Sequence, residues 1–245
     1  MKETKIIDNG FALAGFTSGS EGVWSRNDPS DPPTIDYAAL SEKLEIPLTS
    51  FIRPYQAGGD KVEAISSAHG GSGVIKDNDL KKVDGLVTAE KGIVLSVIAA
   101  DCVPVYLVDK KAEVIGLLHC GWRSAAGKLI HNAVDRMKEL GAAPQDIQLM
   151  VGPHICSKCY EVGGEVLTEY SKVFAPKELE SIFGKNGENL HLSLRTAIRL
   201  KAIDEGISPD NISAVNYCTC HDNGYYSYRR GDRGKQNLAY IMMRQ

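Results

Sequence analysis

Three apolar, β-branched runs dominate the middle of the chain: Ile93–Ala99, Val103–Val108 and Val114–His119, with charged Asp109-Lys110-Lys111 as the turn between the last two. Continuous apolar runs of this length predict adjacent strands of a buried sheet. The longest apolar region, Gly92 to Val108, is interrupted by Asp101 and Pro104 and reads as buried strand rather than a membrane span. The period then changes. Ala125 to Leu140 carries apolar residues at helical spacing and stops at Gly141, so a strand-turn-helix unit begins at His119. A second unit follows, with Ile147–Val151 as strand, Gly152-Pro153 as turn and a helix from about Gly164 to Val173. Leu194–Glu205 reads as a further helix, Ile212–Tyr217 as a strand and Tyr225–Tyr228 as a short extended piece. Towards the N-terminus, Asp36–Leu44 has helical spacing and Lys61–Ile65 is strand-like between Gly58-Gly59 and Gly70-Gly71, while Ser25–Pro33 is a proline-rich surface loop. With no internal repeat, low-complexity tract or shift of composition, residues 1–245 predict a single α/β domain of mixed strand order.

Charge narrows the partners. Lys plus Arg total 28 against 31 for Asp plus Glu, so there is no strongly basic face of the kind that nucleic acid requires. The polar start, MKETKIIDNG, lacks the apolar run of a signal peptide, and a cytoplasmic protein is expected. In that setting the six cysteines, 102, 120, 156, 159, 218 and 220, read as thiols, metal ligands or nucleophiles before disulfides.

The chemistry concentrates in Ala100-Asp101-Cys102-Val103-Pro104-Val105 and His119-Cys120-Gly121-Trp122-Arg123. If these groups sit at neighbouring strand ends, the Cys102 sulfur and His119 imidazole meet at one end of the sheet. They are ligands of the kind a zinc-class metal prefers, or a nucleophile and its base. A buried thiol and a hydrogen-bonded core histidine are the structural alternative. Asp101, Gly121 and Arg123 beside them favour a ligand site, with Arg123 as anion holder at the start of a helix. Cys156-Ser157-Lys158-Cys159 with Cys218-Thr219-Cys220-His221 can form a second, structural zinc site. Its first half has the two-residue spacer of such sites, whereas Cys218 and Cys220 are one residue apart; ordinary buried or mildly reactive thiols are the alternative. Tyr228-Arg229-Arg230 suits binding of phosphate and stacking on a base, or else a solvated basic tail.

These segments carry a family resemblance. ADCVPVYL, HCGWR, GPHICSKCYEVG and CTCHDNGYYSYRRGDRGK, in that order over roughly residues 80 to 245, resemble the YfiH-like family of laccase-domain or polyphenol oxidase proteins, regarded as purine nucleoside phosphorylases. Val83-Asp84-Gly85-Leu86-Val87-Thr88 and Gly15-Phe16-Thr17 agree with it. The resemblance implies a layered α/β sandwich of mixed sheets flanked by helices. It also implies a zinc ion held by two histidines and a cysteine, and phosphorolysis of adenosine, inosine or methylthioadenosine with adenosine deamination as a second activity. Cys102 and His119 match two of the three metal positions. At the third, Gln56-Ala57-Gly58-Gly59-Asp60-Lys61-Val62 has Gly58 where the family has histidine, which leaves His69 as the nearest substitute. Thr17-Ser18-Gly19-Ser20-Glu21-Gly22 has Gly19 where an arginine is expected. The implied partners are a purine nucleoside and phosphate, bound by Arg123, Arg229 and Arg230, with Asp101 an acid, a base or an orienter. Two other readings stay open: a metal-free hydrolase or deamidase with Cys102 as nucleophile and His119 as base, and a non-catalytic paralogue that binds a nucleotide or a protein. Copper-dependent phenol oxidation fits least, since the paired histidines of multicopper chemistry are missing.

Overall fold

The computed structural model describes residues 3–17 and 34–244. The loop expected at Ser25–Pro33 and the departure at Gly19 lie outside them. The elements in chain order are β1 (Glu3–Asp8), β2 (Ala12–Thr17), α1 (Thr34–Leu44), β3 (Phe51–Ile52), β4 (Val62–Ala64), β5 (Gly85–Thr88), β6 (Val94–Ala99), β7 (Val103–Asp109) and β8 (Val114–Cys120). They continue with α2 (Trp122–Ala126), α3 (Leu129–Glu139), β9 (Gln148–Val151), β10 (Glu161–Val162), α4 (Gly164–Tyr170) and α5 (Pro176–Ile182). Last come β11 (Phe183–Asn186), β12 (Asn189–Leu192), α6 (Leu194–Asp204), β13 (Ile212–Ala214) and β14 (Asn237–Met243). None of the described helices is long and apolar enough to cross a membrane.

Two mixed sheets stack on each other. One has the order β1-β2-β14-β6-β3 and the other β13-β9-β7-β8-β5-β4, with a small β10-β12-β11 sheet beside them. Leu95, Val97, Ala239 and Ile241 of the first sheet pack with Tyr106, Val108, Ile115 and Leu117 of the second in one core cluster. The Tyr106 hydroxyl crosses this layer to donate to the Gly15 carbonyl at 3.0 Å. On the outer face of the first sheet, Tyr37 and Leu40 of α1 pack on Val94, Leu238 and Tyr240. On the outer face of the second, Leu129, Ala133 and Met137 of α3 and Ala197 and Ile198 of α6 cover Val105, Leu107 and Leu118. The result is a layered α/β sandwich of mixed sheets flanked by helices. All seven residues of β7, of β8 and of β14 are buried, as strands covered on both faces must be.

Four local expectations need correction. The strand over 93–99 does not neighbour the next run in its sheet: β6 pairs with β14 and β3, whereas β7 pairs with β8 and β9. The chain changes sheet at Ala100–Cys102, where Asp101 takes a left-handed φ of 87°. The helix expected over 125–140 is two, α2 and α3. Asp60 accepts from the Lys128 amide at 3.0 Å and holds the start of α3, and a Cβ on Gly127 would meet its carboxylate oxygens at 2.5 and 2.6 Å. The strand expected over Ile212–Tyr217 ends at Ala214. Tyr225–Tyr228, expected as a short extended piece, joins no sheet, because its polar groups are taken by side chains: Asn237 Oδ1 accepts from the Tyr226 amide and Asp232 from the Ser227 amide, both at 2.9 Å.

Candidate active site

The strand pairing sets the site. In the β7–β8 ladder Pro104 faces His119 and Val103 faces Cys120, so Cys102, just before β7, comes to the end of β8 where His119 lies. Gly121 leaves room there: a Cβ on it would stand 3.3 Å from the Cys102 sulfur. His119 is 7% exposed, and its Nδ1 lies 2.9 Å from Oδ1 of Asp84, which is fully buried. The Asp84 carboxylate also accepts from three successive loop amides, Ala57 at 3.1 Å, Gly58 at 2.9 Å and Gly59 at 2.8 Å. Burial alone would push the Asp84 carboxyl upward, but His119 and these amides outweigh it and hold it below the ordinary range. Burial likewise opposes charge on His119. The charge of Cys102 and the Asp84 carboxylate overcome that and raise the imidazole to about 9. With Nδ1 committed to Asp84, Nε2 is the nitrogen left to serve Cys102 and the cleft.

Cys102 and His119 line a cleft of about 410 Å³ together with Asp101, Arg123, Tyr160, Tyr228, Arg229 and Gln56. Asp101 organises one wall. One carboxylate oxygen accepts from the Thr219 hydroxyl at 2.7 Å, and the other from the Ser227 hydroxyl at 3.0 Å and the Arg229 amide at 2.7 Å. These bonds hold the left-handed corner at Asp101 and tie it to the 219–229 loop. Arg123 is exposed in the first turn of α2, its guanidinium 4.0 Å from the Trp122 ring centroid. Arg229 lies over the Tyr160 ring at 5.2 Å and donates to the carbonyls of Cys159 at 3.3 Å and Glu161 at 2.8 Å. Burial pushes the Tyr160 hydroxyl up to about 12, so it is a phenol donor at neutral pH.

Two of the expected residues lie apart from this cluster. Arg230 is not in the cleft lining; it spends its donors on the carbonyls of Thr219 and Cys220, each at 3.0 Å, and on Asp232 at 2.6 Å. His69 sits in the single turn Ser67–His69, also outside the lining, with Nδ1 3.3 Å from the Ser66 hydroxyl. Among the described residues, His69, Cys102 and His119 do not form a group of ligand atoms within 4.8 Å of one another; Cys156, Cys159, Cys218 and His221 do, and can hold a metal ion. Among the described residues the cleft therefore supplies two nitrogen or sulfur ligands, one short of the three of a catalytic zinc site. Gly58 stands beside His119 through their shared partner Asp84 Oδ1, at a φ of 73° with no atom within 4 Å of a Cβ built on it.

Sequence reasoning missed Asp84 as a partner of His119, although the flanking Val83 and Gly85 marked it as a charged residue entering a buried strand. It also missed Gln56, which exchanges bonds of 2.8 Å with both backbone groups of Ile98, and Tyr160, for which spacing carried no signal.

The family described as multi-copper polyphenol oxidoreductase laccase matches residues 16–244. A relative named adenosine deaminase RL5, from an unknown prokaryotic organism, is 33% identical over 195 residues, covering 78% of this chain and 74% of its own length. A purine nucleoside phosphorylase of Deinococcus radiodurans is 33% identical over 232 residues, covering 94% of this chain and 85% of its own. The crystal structure of YlmD from Geobacillus stearothermophilus superposes with a TM-score of 0.85 at 28% identity, covering 99% of this chain and 100% of that one.

Proposed function

The chain belongs to the family described as multi-copper polyphenol oxidoreductase laccase, and from that premise we propose that it is a purine nucleoside phosphorylase acting on adenosine, inosine or methylthioadenosine, with adenosine deamination as a second activity. The observation that carries this reading is one cleft of about 410 Å³ that combines a Cys102–His119–Asp84 chain, two arginines and two tyrosine rings. That volume suits a small organic ligand. The relatives named as a phosphorylase and a deaminase supply the substrate class.

In phosphorolysis a phosphate oxygen attacks the anomeric carbon, the N-glycosidic bond breaks, and the departing purine takes the bonding pair and a proton. Arg123 and Arg229 hold the phosphate as fixed cations, and Tyr160 or Tyr228 offers a face for the base. His119, oriented by Asp84 and raised to about 9, carries a proton at neutral pH and meets the negative charge that develops on the leaving base. The two ligands in the cleft do not complete a zinc site, so no step here is assigned to a metal. Six free thiols suit a reducing cytoplasm.

One observation favours a second reading. Cys102, His119 and Asp84 stand in the order of a thiol nucleophile, its base and the carboxylate that orients the base, the arrangement of a cysteine hydrolase or deamidase. Product analysis separates the two. Phosphorolysis yields free base and ribose 1-phosphate only when phosphate is supplied. Phosphate-independent amide hydrolysis, lost on alkylation of one thiol, would replace it with the second reading.

A further inference from the structure

We infer that Cys156, Cys159, Cys218 and His221 hold a structural zinc ion that staples two turns together and so fixes the cleft wall bearing Tyr160 and Arg229. This site is separate from Cys102 and His119 and does not rest on the proposed phosphorolysis. The four ligand atoms all lie within 4.8 Å of one another. His221 Nδ1 is 3.3 Å from the Cys159 sulfur and 3.7 Å from the Cys156 sulfur. Zinc–sulfur bonds of about 2.3 Å and zinc–nitrogen bonds of about 2.0–2.1 Å, set at tetrahedral angles, separate the two kinds of ligand atom by roughly 3.6 Å. The observed distances bracket that value.

The sequence spacing is that of a closed structural site. Cys156 and Cys159 are parted by two residues, and so are Cys218 and His221, with Cys220 left outside the set. Backbone bonds already shape both halves. The Cys159 amide donates to the Cys156 carbonyl at 3.0 Å, the Cys218 amide to Asp222 at 2.7 Å, and the Cys156 amide to the Cys218 sulfur at 3.3 Å. His221 Nε2 faces Asp222 Oδ1 at 3.7 Å, an outer carboxylate of the kind that orients a ligating histidine. Three thiolates and an imidazole select zinc over the hard cations, and four protein ligands leave no position for substrate.

The consequence for the cleft follows from connectivity. Tyr160 is the residue after Cys159, and Arg229 donates to the carbonyls of Cys159 and Glu161. Arg230 binds the carbonyls of Thr219 and Cys220, between Cys218 and His221. An ion joining the two turns therefore immobilises both arginines' acceptors.

The test uses a Cys102→Ala background, which removes the sulfur ligand of the cleft. Mass spectrometry of this purified chain should give about one zinc per chain, and adding Cys159→Ser should cut that at least tenfold. Should the double variant fail to fold, the zinc-stripped Cys102→Ala chain is titrated with cobalt(II). Thiolate-to-cobalt charge-transfer and tetrahedral d–d bands should saturate at one equivalent, and zinc should shield cysteines 156, 159 and 218 from alkylation. A Cys102→Ala chain without zinc and without those bands overturns the inference, as does undiminished zinc after Cys159→Ser. Neither readout depends on turnover, so a failure here and a failure of phosphorolysis are told apart.

Discussion

Replacing Asp84 with asparagine keeps its shape and removes its charge. In the native protein four donors converge on this carboxylate: Gly58 and His119 on Oδ1, and Ala57 and Gly59 on Oδ2. An asparagine retains one oxygen for two of them and turns an NH₂ group towards the other two. Each bond to a buried charge contributes about 1.5–3 kcal/mol; the Asp84 carboxylate is fully buried and the loop amides partly so, and losing two such bonds should cost roughly 3–5 kcal/mol. For a chain of this size, about 2–4 °C of Tm per kcal/mol gives a fall of roughly 6–20 °C by circular dichroism at pH 7. The pH dependence follows from the direction of the shift. A carboxyl held below its ordinary value of ~4 contributes fully above that pH and loses its contribution as pH falls through the lowered native value. His119, raised to about 9 in part by Asp84, adds a contribution that is full below ~6.5 and fades as pH rises towards 9, so the gap between native protein and variant should be largest from about pH 5 to 6.5, narrow below ~4 and narrow again above ~6.5. A Tm change under ~2 °C, or a gap that widens on acidification below ~4, would refute the assignment of Asp84 as the anchor of both the 57–59 loop and His119.

Two further substitutions probe the scaffold around the cleft. Asp101→Asn should weaken the bonds to Thr219, Ser227 and the Arg229 amide, raising amide hydrogen exchange over 227–230 at least ~10-fold, equivalent to ~1.4 kcal/mol; unchanged exchange would show that the loop is held elsewhere. Gly127→Ala should displace the Asp60 carboxylate from the start of α3 and cost about 1–2 kcal/mol. Because that loss is of the same cap, it should be non-additive with Asp60→Ala in urea unfolding, and full additivity would contradict the role given to Asp60.

The local pattern carried much of the fold because burial and period agree there. β7, β8 and α6 lie within a residue or so of their expected bounds. What was not legible depends on partners distant in sequence. Nothing between 93 and 108 signals that the chain leaves one sheet for the other at Asp101, since both strands are buried on both faces and read alike. The break at Gly127 is made by Asp60, far back in the chain, and Tyr225–Tyr228 has strand-forming residues whose polar groups Asn237, Asp232 and Arg230 take instead. β14, the partner of both β2 and β6, was passed over although its seven residues are apolar but for Asn237, and its pairing is set by residues more than 130 positions away. Cys102, His119 and Arg123 stand out by residue type beside glycines and strand ends, and Arg229 by its place between Tyr228 and Arg230; the fold brings all four to one cleft. Asp84 does not stand out, because the geometry that joins it to His119 arises only from the β5–β8 pairing of Gly85 with Leu118. The Cys3His set was legible in part: weighing Cys220 as the fourth ligand concealed the regular spacing that His221 gives.

The central claim is that the cleft at Cys102 and His119 is the reaction site for a purine nucleoside and phosphate. Its most direct test is ribose 1-phosphate formation from inosine or adenosine by the native chain and by His119→Ala, each with and without phosphate. The account predicts phosphate-dependent product from the native chain and a loss of at least ~10²-fold in kcat/KM, about 2.7 kcal/mol, in the folded variant. Product that persists undiminished in His119→Ala, or a native chain that forms none at any phosphate concentration, would contradict it.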